Sequence, residues 1–169
     1  SFFSSFGQTF LVALFVPYMR EEFGLSAAHM GLYYSLATVF SSCALPIVGG
    51  WIDKVNLRLY SAANGVLLAV ACLTMALAVN LPMLIAGLFM LRLSGQGLMG
   101  HISQTSVARY FTKDRGKALS LSSQGFAIGE AIFPIAVVML LASVGWSQTY
   151  LIMAIAAMLV FLPVSVLLL

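Results

Sequence analysis

Two charged residues, Arg92 and Glu130, stand inside long apolar runs of the chain. A charge near the middle of an apolar helix in a bilayer costs about 2.5 to 3.5 kcal/mol on insertion scales, so each is read as a functional group unless a partner neutralises it. The Arg92 guanidinium can hold an anionic group. The Glu130 carboxyl, flanked by Phe126 and Phe133, is suited to taking up and releasing a proton. The structural alternative is a pair in which the two neutralise each other. Such a pair is often no more stabilising than apolar packing of the same volume. Gln96, Met99 and Ser103 fall within about 40° of Arg92 on a helical wheel, and Ser123, Phe126, Pro134 and Val137 share the Glu130 stripe. His101 falls about 180° from Arg92, the place of a packing histidine rather than a proton relay. Gln8 and Thr9 are polar candidates in the first run. Tyr34 heads a polar, small-residue face that continues through Thr38, Ser42, Pro46, Gly49 and Asp53.

The elements that must position these groups follow from composition. The 169 residues are 62% hydrophobic and 8% charged, whereas a soluble domain carries roughly a quarter charged residues. The chain is therefore read as a membrane protein. A spanning helix takes about 20 residues, and the apolar runs at 2–19, 28–52, 59–79, 83–108, 118–144 and 148–169 give six. Because lipid admits only helices and closed barrels, and no run alternates with period 2, the class is all-α and polytopic, a single bundle with no soluble domain. Both ends of the chain fall inside apolar runs, which suggests a piece of something longer.

The remaining charges are distributed unevenly. Lys54, Arg58, Arg109, Lys113, Arg115 and Lys117 follow the second and fourth runs, while Arg20 is the sole basic residue after the odd-numbered ones. By the positive-inside tendency the even loops and both chain ends are cytoplasmic. The net charge of +3 is thus accounted for by topology, and no basic cluster interleaved with aromatics points to nucleic acid. Cys43 and Cys72 lie within apolar runs as small hydrophobes, and no metal or cofactor is expected. On the fifth run, Gly125 and Gly129 form a GxxxG that permits close helix packing, and Pro134 removes a backbone donor one turn past Glu130.

Several stretches resemble a known family. Gly49-Gly50-Trp51-Ile52-Asp53-Lys54-Val55-Asn56-Leu57-Arg58 is similar to the loop between the second and third spans of the major facilitator superfamily. Gly49, Asp53 and Arg58 fit and Lys54 keeps the charge, while Asn56 replaces a turn glycine and Leu57 an arginine. Asn tolerates left-handed backbone, so the turn is expected to survive. The run from Arg92 through Gly95, Gly97 and Gly100 resembles the family's fourth-helix arginine and glycines. Arg109 to Ala118 resembles the loop entering its fifth helix. The resemblance implies the amino-terminal half of a twelve-helix secondary transporter, built as two inverted three-helix repeats. A Gly-Gln step at Gly7-Gln8 recurs 88 residues on at Gly95-Gln96, in keeping with such a repeat.

The expected function is transport of a small, anionic organic solute by alternating access, coupled to protons, across a bacterial cytoplasmic membrane. Arg92, Glu130, Gln96, Gln8 and Tyr34 would serve substrate or proton. Gly49, Asp53 and Arg58 would form a cytoplasmic gate against the carboxy-terminal half, and Gly125, Gly129 and Pro134 would shape helix packing. A non-transporting receptor or assembly module of the same fold is the alternative. An intramembrane protease would need a Ser in a Gly-x-Ser setting and a facing His, whereas Ser94 follows Arg92-Leu93 and the last two runs contain no His.

Overall fold

The computed structural model describes residues 2–111 and 114–168; Lys113, counted among the cytoplasmic charges, and Leu169, the expected end of the last span, lie outside the described residues. Every described element is helical. A 3-10 segment, Phe2–Gly7, leads into α1 (Thr9–Glu22). Next come α2 (Ala27–Gly49), which tightens into a 3-10 turn over Gly50–Asp53, and α3 (Leu57–Ala76). The chain continues as α4 (Leu81–Tyr110), α5 (Arg115–Val144) and α6 (Trp146–Leu167). The helices α2 to α6 are each long and apolar enough to cross a membrane. The chain is an all-α, multi-pass membrane protein.

Local chemistry sets the ends. Ser26 caps α2 by accepting a hydrogen bond from the His29 N–H at 3.1 Å, and Asn80 caps α4 through the Met83 N–H at 3.0 Å. Asn56, expected to hold a left-handed turn, does something else. Its φ is −58°, and its side-chain oxygen accepts from the Arg58 N–H at 2.9 Å, so it starts α3 as an N-cap. Between α5 and α6 the turn is made by Gly145 at φ 83°, a conformation that disfavours any Cβ.

The first run departs from the unbroken span expected of it. The chain leaves helical geometry at Gln8, with φ −79° and ψ 149°, and starts again at Thr9. Gly7 lies against the backbone of α4, where a Cβ would run into the Leu91 carbonyl and stand 2.9 Å from the Gly95 Cα; a Cβ on Gly95 would in turn stand 2.6 Å from the Gly7 nitrogen. The two Gly-Gln steps noted in the sequence are thus the crossing point of the first and fourth helices.

The apolar core lies among α1, α3, α4 and α6. Leu11, Phe15, Leu68, Met75, Leu84 and Leu88 are fully buried there, and the Phe15 and Tyr150 rings are 4.2 Å apart. By contrast, α5 exposes Leu121, Ile128, Ile132, Ile135 and Met139, each 51% to 70% open, on one stripe about 60° wide. In a membrane protein such a stripe faces lipid. Gly129 seats α5 against the first segment, since a Cβ there would be 2.5 Å from Ser5 Oγ and 2.9 Å from the Phe2 carbonyl. Gly125 is half-buried. The helix runs on through Pro134, which lacks the N–H that would serve the Glu130 carbonyl.

Candidate functional site

Arg92 is 7% exposed, and the break in the first helix positions it. Its Nη1 donates to the Gly7 carbonyl at 3.3 Å and to Thr9 Oγ1 at 3.0 Å. The guanidinium lies 5.2 Å from the centroid of the Tyr34 ring, and the Tyr34 hydroxyl also donates to Thr9 Oγ1, at 3.0 Å. Two partner oxygens and an aromatic face hold one orientation of the planar guanidinium, at the start of a helix whose positive end favours anions.

From Arg92 to Leu98, α4 is a π-helix. Its wider turn accommodates one residue more than an α-helical turn, and such segments recur at functional sites. Asn64 of α3 supports the widened turn, its side-chain amide donating to the Ser94 carbonyl at 3.2 Å, while Ser94 Oγ donates to the Met90 carbonyl at 2.6 Å. The extra residue shifts everything beyond it by about 100° around the helix. His101, expected about 180° from Arg92, is therefore brought round to about 80° from it.

Arg92 and His101 accordingly line one cavity of about 490 Å³ between α2 and α4, with Thr38, Ser41, Ser42 and Gln96. A second cleft, of about 710 Å³, opens on the other side of α4 toward α5 and contains Gln8, Ser103, Ser120 and Ser123. Gln96, Gly100 and Gln104 belong to both. The two hollows adjoin through the Gln96 and Gln104 amides and carry hydroxyls and amides beside the apolar Leu45, Leu119 and Phe126, with one permanent charge, that of Arg92. Such a surface gives an anionic solute a cationic anchor and hydrogen-bonding groups to turn against.

Glu130 is not part of this arrangement. The ion pairs among the described residues are Arg109–Asp53 at 3.1 Å and Lys117–Asp114 at 3.4 Å, so Arg92 and Glu130 are not paired. The reason is geometric: Gly129 is the α5 residue aimed at the first helix, and Glu130 follows about 100° around. It is exposed, about 180° from the lipid-facing stripe, and lies on the same stripe as Ser123 of the larger cleft, about 10 Å further along the helix.

At the opposite end of α2, Asp53 meets Arg109, whose Nη2 also donates to the Ile52 carbonyl at 2.8 Å. This joins the ends of α2 and α4. Arg58 is exposed and Gly49 packs under His101, where a Cβ would be 3.6 Å from the imidazole Cδ2. Thr9, a polar candidate in the sequence, is the acceptor that Arg92 and Tyr34 share, whereas sequence reasoning missed Asn64 as a positioning group, Arg109 as the partner of Asp53, and the side of α4 on which His101 lies. The one signal available was the density of small residues at Ser94, Gly95, Gly97 and Gly100, which lets α4 widen.

Residues 1–169 match the sequence profile of the Major Facilitator Superfamily over the whole chain. The chain belongs to this superfamily of secondary transporters. A curated protein of Cupriavidus necator named "Probable sulfoacetate transporter SauU" is 24% identical to it over 143 residues, covering 84% of the chain and 33% of the relative. The chain thus spans about a third of the length of the curated relative it matches. No solved structure matches.

Proposed function

We propose that the chain forms half of a carrier that moves a small anionic organic solute by alternating access, driven by the proton gradient. The observation that supports this reading most is Arg92 itself, a buried cation fixed by the break in the first helix and open along one edge to an uncharged polar cavity. A short organic acid bearing a sulfonate or carboxylate fits that chemistry, and the sulfoacetate named for the relative belongs to the class. A guanidinium binds a planar or tetrahedral oxyanion through paired N–H groups. Gln96 and Gln8 supply donors and acceptors for the rest of the solute, and Tyr34 keeps the guanidinium from swinging.

Glu130 is the carboxyl proposed to take the driving proton. It is exposed on α5, on the stripe that carries Ser123 and Phe126, which a second six-helix unit would cover, and coverage would desolvate it. The same unit would meet Gly49, Asp53 and Arg58 at the cytoplasmic gate. The excess of basic residues in the even loops supports a cytoplasmic side for those loops and both chain ends, and a bacterial cytoplasmic membrane is the proposed location.

The test is uptake of labelled sulfoacetate by the complete protein in proteoliposomes, with Arg92→Gln and Glu130→Gln. Loss of binding in the first and loss of proton-driven accumulation in the second are expected. Wild-type behaviour in both would overturn the assignment, and specific binding without uptake by the wild type would point to a receptor.

A further inference from the structure

His101 supplies the one imidazole lining the cavity between α2 and α4, and imidazole is the side chain that gains and loses a charge around neutral pH. Its presence there depends on the π-helical Arg92–Leu98 segment, because the same sequence wound as a regular α-helix would turn it away from Arg92. Along the axis it lies about 13 Å beyond Arg92. The imidazole rests on Gly49, where the α-helical part of α2 ends. A helix C-terminus carries partial negative charge and favours a cation nearby.

The charged and titratable groups on the elements around it are few. On α4 these are Arg92, Arg109, tied to Asp53, and Tyr110 at its end; on α2 they are His29 and Tyr33 near its start, Tyr34, beneath Arg92, and the Cys43 thiol, with Asp53 in the turn that follows. The Tyr60 hydroxyl of α3 is engaged by the Val48 carbonyl, and Arg58 starts the same helix at the surface. Of all these, Arg92 alone shares the cavity with His101, and Glu130 of α5 lines neither the cavity nor the cleft beside it.

From this geometry we infer that His101 is a proton-binding site of the cavity, loaded together with the anion held at Arg92. The inference rests on the carrier reading above. One ring nitrogen takes a proton from water in the cavity and later returns it to water, so that an N–H bond forms and breaks and nothing is oxidised or reduced. The imidazolium adds a second positive charge to the wall that the anion faces. Two unit charges about 13 Å apart at an effective dielectric constant of about 20 to 40 attract enough to change affinity by about threefold to ninefold. The anion therefore binds tighter at the low-pH end of the imidazole range and is released as the proton leaves. Anion and proton then travel together.

Two measurements on the complete protein test this. The first is titration of the His101 resonance in protein labelled with 15N-histidine, held in nanodiscs and assigned by its disappearance in His101→Gln. A resonance that moves with pH is expected, and a signal unchanged from pH 5 to 8 overturns the inference. The second is KM for labelled sulfoacetate against pH. The wild-type KM rises by about threefold to ninefold from pH 5 to 8. It is flat at the high-pH value in His101→Gln and flat at the low-pH value in His101→Arg, which keeps the charge. A wild-type pH profile in His101→Gln, or a profile abolished by Glu130→Gln but not by His101→Gln, overturns it. Should the wild type neither bind nor transport sulfoacetate, the anion-carrier reading fails for that substrate, and the titration alone decides whether His101 binds a proton.

Discussion

At Arg92 the fixed charge and its geometry do separate work. Lysine in its place keeps the charge but cannot bridge the Gly7 carbonyl and Thr9 Oγ1 while lying on the Tyr34 ring. Arg92→Lys is therefore expected to raise KM for an anionic solute about tenfold with a smaller effect on kcat, whereas Arg92→Gln lowers kcat/KM by about 10- to 100-fold, as the loss of one or two hydrogen bonds to a charged group does. Uptake kinetics of the two variants separate these effects. Tyr34→Phe keeps the ring under the guanidinium and removes one hydrogen bond to Thr9, worth about 1 kcal/mol, so about a fivefold loss is expected. Arg92 and Glu130 stood out in the sequence because scarcity of charge inside apolar runs is a property of composition. Their failure to pair did not, because it depends on which residue of α5, Gly129 or Glu130, points at the first helix, and that is decided by packing against Ser5 and Phe2.

The helices hold the site through two close features, the crossing of Gly7 with Gly95 and the π-helical turn of α4. A Cβ at Gly95 would press on the Gly7 backbone, which cannot yield as a flexible side chain can. Gly95→Val is expected to destabilise the protein by about 1 to 3 kcal/mol, the usual cost of overpacking. Gly100→Ala, with no atom within 4 Å of the new methyl and a helical backbone that alanine favours, is expected to leave the melting temperature no lower than that of the wild type. Thermal unfolding followed by fluorescence-detected size exclusion compares the two. Deleting Gly97 should convert the π turn to α and rotate the residues beyond it by about 100°. A cysteine at position 101, in a background where Cys43 and Cys72 are Ala, would then lose its reaction with an impermeant thiol reagent; unchanged labelling would contradict the proposed role of the turn. All-α architecture was legible at this scale, because apolar runs of spanning length without period-2 alternation leave no other solution. The side on which His101 lies was not. A fixed step of about 100° per residue cannot register an inserted residue, and the insertion is stabilised from another helix, by Asn64 on the Ser94 carbonyl.

Across the molecule, polar and apolar surfaces are segregated in a way that fits a carrier half. The exposed stripe of Leu121, Ile128, Ile132, Ile135 and Met139 is apolar, the surface spanning α2, α4 and the start of α5 is polar, and Glu130 lies on the open side of α5 away from the apolar stripe. The excess of basic residues in the even loops predicts that a thiol reagent confined to the outside of intact cells will not label cysteines introduced at Lys54 or Lys117, and will label one introduced at Glu21. The reverse pattern would invert the topology. The central claim, that Arg92 anchors an anionic solute carried with protons, is tested most directly by accumulation of labelled sulfoacetate in proteoliposomes of the complete protein under an imposed proton gradient. Saturable accumulation that falls to the level of empty liposomes with a protonophore, and at least tenfold in Arg92→Gln, is predicted. Accumulation at the wild-type level in Arg92→Gln, or none above empty liposomes in the wild type, would contradict it.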